Sequence, residues 1–105
     1  MSHQAESVPL LSFCVPTYNR IDRLLPLVNS ILRSSSGNFE IVVADNLSTD
    51  ATMRELRGLG DSRLTIIQNE ANYGAVFNQV NVLTQGAGTY RVLVHTVYCY
   101  STKIQ

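Results

Sequence analysis

Four short, mostly apolar segments alternate with three longer segments along this chain of 105 residues. The short segments suit buried strands, and the second is rich in β-branched residues, whereas the first of the longer segments carries apolar residues at the three-and-four spacing of a helix. The predicted strands cover residues 10–15, 39–44, 63–68 and 90–94, and the predicted helices cover residues 20–33, about 49–59 and 75–85. This βαβαβαβ order predicts a Rossmann-like, three-layer α/β fold with a mostly parallel sheet and right-handed crossovers.

Pro26 and the hydroxyl residues before the second helix bear on where the first two helices begin. Pro26 lies deep in the first helical pattern. Because proline lacks an N–H donor, we expect this helix either to start near Asp22 or Arg23 or to kink. Ser48 or Thr49 is the predicted N-cap of the second helix, since a hydroxyl oxygen there can accept a hydrogen bond from a free amide.

Composition restricts the partners of such a domain. The chain has 8 Lys and Arg residues against 8 Asp and Glu residues, so it presents no basic surface for nucleic acid. Its first apolar stretch is short and broken by proline, which fits neither a leader peptide nor a membrane span. Its two cysteines are too few for a disulfide scaffold, and reduced thiols are expected. These features predict a cytoplasmic domain over residues 10–95, with a disordered tail at 1–9 and a second tail at 96–105.

Polar side chains follow each predicted strand, at the edge where an open parallel sheet binds its ligands. In strand order they are Thr17, Tyr18, Asn19 and Arg20; Asp45 and Asn46; Asn69, Glu70 and Asn72; and His95 and Thr96. The ring of Tyr18 can stack on a base, and Asp45 can accept a hydrogen bond from a base or a ribose. The alternative for Asp45 and Asn46 is a turn held by side-chain-to-backbone bonds. Both interpretations stay open at this stage.

Three further residues of this region have simple structural interpretations. Gly74 suits a turn before the third helix, Asn78 suits an exposed helix position, and His95 suits a structural or surface role, because no second histidine or paired cysteine stands near it. No metal site is predicted from these residues. The chain also lacks the glycine-rich dinucleotide loop, the Walker phosphate loop and the nucleophile-elbow sequence, which argues against those three enzyme classes.

Four motifs together resemble the family 2 glycosyltransferases of the GT-A fold. They are residues 15–20 (VPTYNR), 43–52 (VADNLSTDAT), 69–74 (NEANYG) with Asn78, and 88–90 (GTY). Their spacing agrees with the family from about residue 10 to residue 94. The Asp-Asn pair followed by Ser-Thr-Asp is most similar to bacterial enzymes that add sugars such as abequose to surface polysaccharides.

The resemblance implies a truncated GT-A fold that binds an activated sugar for transfer to a polysaccharide or glycan acceptor. The donor it implies is usually a UDP-sugar, with a dTDP-sugar as the other choice. The nucleotide-binding residues carried over from the motifs are Thr17, Tyr18, Asn19, Arg20, Asp45, Asn46, Asn72, Gly74 and Asn78. The resemblance assigns no catalytic residue in this chain.

The departure from the family lies after the fourth strand. In the family this strand ends in an acidic motif that ligates Mg²⁺ or Mn²⁺, whereas no acidic residue follows Glu70 here. We therefore expect the nucleotide-binding half of a transferase, without a metal motif and without transfer activity by itself. The alternatives are a non-catalytic nucleotide-binding or protein-interaction module and a vestigial fragment. The fourth strand should also leave a free sheet edge, which the tail 96–105 would extend or through which two chains would associate.

Overall fold

The computed structural model of the protein describes residues 8–34, 37–96 and the backbone of 101–103. Its elements are β1 (Leu11–Thr17), α1 (Ile21–Ser34), β2 (Phe39–Asp45), α2 (Thr52–Arg57), β3 (Leu64–Gln68), α3 (Ala75–Gln85), β4 (Tyr90–Val94) and β5 (Ser101–Lys103). The strands form one sheet in the order β3-β2-β1-β4-β5, in which β5 alone runs antiparallel to its neighbour. The predicted Rossmann-like α/β fold with a mostly parallel sheet is confirmed.

The sheet lies between two helical layers because its strands send buried side chains alternately to the two faces. In β2, Ile41 and Val43 belong to the core on the face covered by α1 and α2. Val42 and Ala44 belong to the smaller core under α3. The fully buried helix residues at these contacts are Leu24, Val28, Leu56 and Val82.

Helix α1 begins at Ile21 and continues through Pro26. The Arg20 carbonyl accepts the first helical bonds, from the amides of Arg23 at 3.0 Å and Leu24 at 2.8 Å. The helix therefore begins one residue before the predicted start near Asp22 or Arg23, and Pro26 lies inside it. Pro26 removes a single donor from the helix, and burial of Leu24 and its neighbours along the helix keeps α1 against the sheet.

Helix α2 begins at Thr52, later than the sequence predicts, and neither Ser48 nor Thr49 caps it. Instead, the Asp50 carboxylate accepts a hydrogen bond from the Thr52 amide at 2.9 Å and another from the Thr52 hydroxyl. The hydroxyls of Ser48 and Thr49 have partners elsewhere, at Asp45 and Asn19. Those partners keep residues 48 and 49 in the loop before the helix.

The N-terminal end of the described chain is hydrogen-bonded to the sheet domain. Asn38 Nδ2 donates to the Val8 carbonyl at 2.9 Å, and the Thr89 amide donates to the Pro9 carbonyl at 3.1 Å. The rest of the predicted N-terminal tail, residues 1–7, lies outside the described residues. No helix within ranges 8–34 and 37–96 is long and apolar enough to cross a membrane.

Strand β5 pairs with β4, so the sheet does not end at its fourth strand. The pairing joins Val92 with Lys103 and Val94 with Ser101 in antiparallel register. The prediction of a free edge along β4 is wrong, because the tail itself supplies the next strand. Residues 97–100 and 104–105 of the tail lie outside the described residues, and association between two chains stays a prediction.

Candidate functional site

A cleft of about 280 Å³ opens at the carboxyl ends of the parallel strands. Its walls come from the segments that follow β1, β2 and β4, from the loop before α3 and from α3 itself. Its lining residues are Pro16, Thr17, Tyr18, Arg20, Asn46, Asn72, Ala75, Asn78, Gln79, His95 and Thr96. Because parallel strands end at the same edge, residues far apart in sequence share this cleft.

The structure brings most of the predicted nucleotide-binding residues to the cleft. Those that line it are Thr17, Tyr18, Arg20, Asn46, Asn72 and Asn78. Asn19 and Gly74 lie in the same loops and Asp45 ends β2, but none of the three lines the cleft.

The cleft also contains residues to which the sequence gives another role or none. His95, for which a structural or surface role is predicted, lines the cleft from the end of β4. Gln79 of α3 lines it as well and is absent from the predicted set. The helical spacing of Ala75, Asn78 and Gln79, which puts them on one face of α3, is the signal that could have found Gln79.

Thr17 and Tyr18 give the cleft a hydroxyl group and an aromatic ring. Thr17 is only 4% exposed, and its Oγ1 has no hydrogen-bond partner among the described residues. A buried hydroxyl without a partner costs free energy, which a bound polar group or water would recover. The Tyr18 side chain is 43% exposed, so its ring is accessible to a planar group.

Asp45 is fully buried, and its carboxylate accepts hydrogen bonds that hold the loop after β2. One carboxylate oxygen accepts a hydrogen bond from the Ser48 amide at 2.9 Å and a long one from Gln68 Nε2 at 3.4 Å. The other oxygen accepts a hydrogen bond from the Ser48 hydroxyl. This is the turn that the alternative interpretation describes. A contact between Asp45 and a base or ribose stays a prediction.

Asn19 joins the loop after β1 to the loop after β2. Its backbone has a left-handed φ of 51°, which asparagine tolerates better than most residues. Its side-chain Oδ1 accepts hydrogen bonds from the amides of Thr49 at 2.8 Å and Asp50 at 3.2 Å. Its own amide donates to Ser48 Oγ at 2.9 Å. Asn19 therefore sets the relative positions of two loops of the rim.

Four asparagine side chains, Asn46, Asn69, Asn72 and Asn78, form an amide network beside the cleft. Asn46 Nδ2 donates to Asn72 Oδ1 at 2.9 Å and to the Gly74 carbonyl at 3.2 Å. Asn46 Oδ1 accepts hydrogen bonds from Asn69 Nδ2 and from the Tyr73 amide, both at 3.0 Å. Both polar atoms of the Asn46 side chain are thus paired within the chain. A bond from this amide to a ribose would have to replace or share one of these contacts.

Asn78 completes the amide network from α3. It is 2% exposed, its Oδ1 accepts a hydrogen bond from Asn69 Nδ2 at 2.8 Å, and its Nδ2 donates to the Ala44 carbonyl at 2.8 Å. The prediction of an exposed Asn78 is wrong, because the end of β2 offers its amide a partner. One sequence signal was available, since Asn78 precedes the buried Val82 by one helical turn. Asn69 is marked in the sequence by its place directly after a predicted strand.

Among the residues that the structure describes, Arg20 and His95 are the basic residues that line the cleft, and no carboxylate lines it. Over the parts of the chain that the structure describes, no three His, Cys, Asp or Glu side chains are grouped so that they could hold a metal ion. Mg²⁺ and Mn²⁺ favour carboxylate and other oxygen ligands. The residues that line this cleft therefore do not fit the divalent cation that the resemblance implies.

Comparison with known proteins matches residues 12–94 to the family described as Glycosyl transferase family 2. The putative colanic acid biosynthesis glycosyl transferase WcaA of Escherichia coli (strain K12) is 37% identical over 82 residues, which cover 74% of this chain and 29% of that protein. Abequosyltransferase RfbV of Salmonella typhimurium is 36% identical over 77 residues, which cover 70% of this chain and 21% of that protein. The chain thus spans less than a third of the length of these two relatives.

Solved structures with the same fold include S. aureus TarS and a mannosyltransferase from Pyrobaculum calidifontis. TarS superposes with a TM-score of 0.75 at 30% identity, over 83% of this chain and 16% of that chain. A TarS structure of residues 1–349 in complex with UDP gives a TM-score of 0.73 and covers 27% of that chain. The mannosyltransferase PcManGT, in complex with GDP-Man and Mn²⁺, gives a TM-score of 0.75 at 23% identity and covers 87% of this chain and 28% of that chain.

Proposed function

This chain belongs to glycosyl transferase family 2, and from that membership we propose that its cleft binds the nucleotide of an activated sugar. The proposed donor is a UDP-sugar or a dTDP-sugar, and the proposed acceptor of the whole protein is a polysaccharide or glycan. The names of WcaA and RfbV support a role in polysaccharide synthesis, and the UDP complex of TarS supports a uridine nucleotide. We propose a cytoplasmic location, where a free buried thiol such as Cys14 stays reduced.

The observation that carries this proposal is the pairing of Thr17 and Tyr18 at the cleft. An accessible aromatic ring offers a stacking surface to a base, and the neighbouring hydroxyl lacks a partner within the described residues. A nucleoside has a planar ring and hydroxyl groups that fit these two features. Asn72 lines the same cleft and would face the ribose or the base.

We propose that Asn19, Asp45 and Gly74 support binding through the shape of the loops. Asn19 and Asp45 hold residues 48–50. Gly74 has a φ of 92°, which favours glycine, and its carbonyl accepts a hydrogen bond from Asn46. None of the three lines the cleft, so their substitution would act on the position of the cleft residues.

Glycosyl transfer itself displaces a nucleoside diphosphate from the sugar with an acceptor hydroxyl, and a base must take the proton of that hydroxyl. No carboxylate lines the cleft that the structure describes, so no side chain there is an obvious base of the usual acidic kind. We therefore propose nucleotide binding for the described residues, without transfer by this chain alone. Release or transfer of sugar from a UDP-sugar by the purified chain would contradict that part of the proposal.

The test is titration of the purified chain with uridine, UDP and dTDP, followed by amide chemical shifts and by calorimetry. We expect saturable shifts at Thr17, Tyr18 and Asn72. Tyr18→Ala should weaken binding by roughly 5- to 100-fold, the effect of losing a base–aromatic stack.

The matched control is Tyr90→Ala, because Tyr90 is similarly exposed, at 47%, but starts β4 at the other end of the sheet. This variant should bind as the unchanged chain does. Absence of binding by all three ligands, or equal losses in the two variants, would refute the proposed site.

A non-catalytic nucleotide-binding module is the second candidate, and the absence of carboxylates from the cleft lining favours it. Both candidates predict nucleotide binding by the isolated chain. They differ in the whole protein, where only the transferase candidate predicts turnover of a nucleotide sugar.

A further inference from the structure

Resting on the nucleotide binding proposed above, we infer that this cleft holds the diphosphate of its ligand without a divalent cation, with the Arg20 guanidinium as the positive group that meets it. Compensation of the diphosphate charge is separate from recognition of the base. Two features of the cleft bear on it, the bonding of the carboxylate and amide oxygens beside it and the charge of its lining.

The side-chain oxygen atoms of Asp45, Asn46 and Asn72 beside the cleft are engaged within the chain. Both carboxylate oxygens of Asp45 accept hydrogen bonds from Ser48, and Gln68 adds a third. The Oδ1 atoms of Asn46 and Asn72 each accept two hydrogen bonds. A cation at these atoms would have to displace N–H or O–H donors, whose protons repel it. The amide network therefore makes the neighbouring wall of the cleft a poor cation site.

The charged lining of the cleft is suited to an anion. Arg20 is exposed, lines the cleft and takes part in neither of the ion pairs found among the described residues. The carboxylate of Asp50, in the neighbouring loop, is occupied by Thr52. A guanidinium stays protonated at all working pH values and can bind phosphate oxygens in a bidentate manner.

The position of Arg20 agrees with this role. It lies two residues after Tyr18 in the loop that follows β1, so one loop supplies both the aromatic surface and the positive charge. His95 lines the same cleft from the end of β4. No carboxylate of the lining opposes a diphosphate that enters between these residues.

The test compares UDP with uridine in calorimetric titrations of the chain, first with EDTA and then with Mn²⁺ or Mg²⁺. We expect UDP to bind in EDTA, more tightly than uridine, and the metal to change its Kd by less than about threefold. A metal-dependent gain of about tenfold or more for UDP would overturn the inference while leaving nucleotide binding intact.

Two arginine variants, one just before α1 and one within it, sharpen this test. Arg20→Gln should weaken UDP binding by about 10- to 100-fold and uridine binding by less than about threefold, because only UDP carries the phosphates. Arg23→Gln is the control, since Arg23 is also exposed on α1 but does not line the cleft, and it should change neither affinity. Equal losses of UDP and uridine affinity in Arg20→Gln would overturn the inference. If neither ligand binds the unchanged chain, the proposed function fails and the inference fails with it.

Discussion

Replacing Asn46 with aspartate would test whether the amide network holds the cleft together. The substitution keeps the size and shape of the side chain but exchanges a donor group for a second acceptor. Asn46 Nδ2 now donates to Asn72 Oδ1 at 2.9 Å and to the Gly74 carbonyl at 3.2 Å. In Asn46→Asp those two oxygen atoms would face a carboxylate oxygen at a position that is 3% exposed.

The expected cost follows from counting what is lost and what is kept. Two hydrogen bonds disappear, at about 1 kcal/mol each, and two acceptors then face a buried negative charge, which adds about 1–3 kcal/mol. The bonds from Asn69 Nδ2 and the Tyr73 amide remain and become stronger with a charged acceptor, which offsets part of this. We expect a net loss of about 2–4 kcal/mol in the free energy of unfolding at neutral pH. That is a large fraction of the stability of a domain of this size.

Urea unfolding followed by circular dichroism measures this loss, and its pH dependence identifies the cause. Burial raises the pKa of a carboxyl group introduced at position 46, so the group is neutral in the folded chain over a pH range in which it is charged in the unfolded chain. Its contribution is then most favourable at low pH and is lost as the pH rises through the folded-state pKa. The deficit of Asn46→Asp against the unchanged chain should shrink on acidification.

The control is Asn29→Asp, which adds the same charge to α1 at a partly exposed side chain with no hydrogen bond within the described residues. It should change the free energy of unfolding by less than about 0.5 kcal/mol. A deficit below about 1 kcal/mol for Asn46→Asp, or one that does not change with pH, would show that the network does not hold the loops as described.

Three further substitutions test contacts elsewhere in the fold. Gly88→Ala should lower the free energy of unfolding in urea by about 1–3 kcal/mol, because its Cβ would lie 2.6 Å from Ser12 Oγ and 2.8 Å from the Ser12 amide nitrogen. Gly58→Ala has room for its Cβ and should leave that free energy unchanged or raise it by up to about 1 kcal/mol, and equal effects of the two substitutions would contradict the contact. Asp50→Ala should cost about 1 kcal/mol by the same measurement, because it removes the acceptor for the first amide of α2, and an unchanged unfolding midpoint would contradict that capping role. Burial raises the pKa of the Cys14 thiol from 9.0 to about 11, so the unfolded chain loses this proton first and the free energy of unfolding should fall between about pH 9 and pH 11. Cys14→Ala should lose less stability over that interval, and parallel pH profiles of the two chains would contradict the assignment.

The parts of the fold that the sequence predicts best are those defined by local chemistry. Helix α3 and strand β4 have the predicted bounds, 75–85 and 90–94. Gly74 before α3 and the glycines at 86 and 88 after it interrupt regular structure at both ends. The apolar pattern of the strands, with the rule that ligands bind at the carboxyl ends of parallel strands, also predicts that Thr17, Tyr18 and Asn72 lie at a common edge.

The misplaced features depend on partners far away in the sequence. Ser48 has the side chain of a helix cap, but its Oγ accepts a hydrogen bond from the amide of Asn19, 29 residues earlier. Asn78 has the composition of an exposed helix position, but the Ala44 carbonyl, 34 residues earlier, accepts a hydrogen bond from its amide. Such contacts appear only once the register of the sheet is known, and local propensity contains no information on it.

The amide network also determines when the cleft can form. Three of its hydrogen bonds join residues 23, 26 and 34 positions apart in the chain, so each of these three closes a long loop. They require β2 and β3 to be paired and α3 to be docked on them, so we expect them to form only after these elements are in contact. The sheet therefore precedes the site, and a chain that has collapsed without docking α3 offers a ligand no cleft.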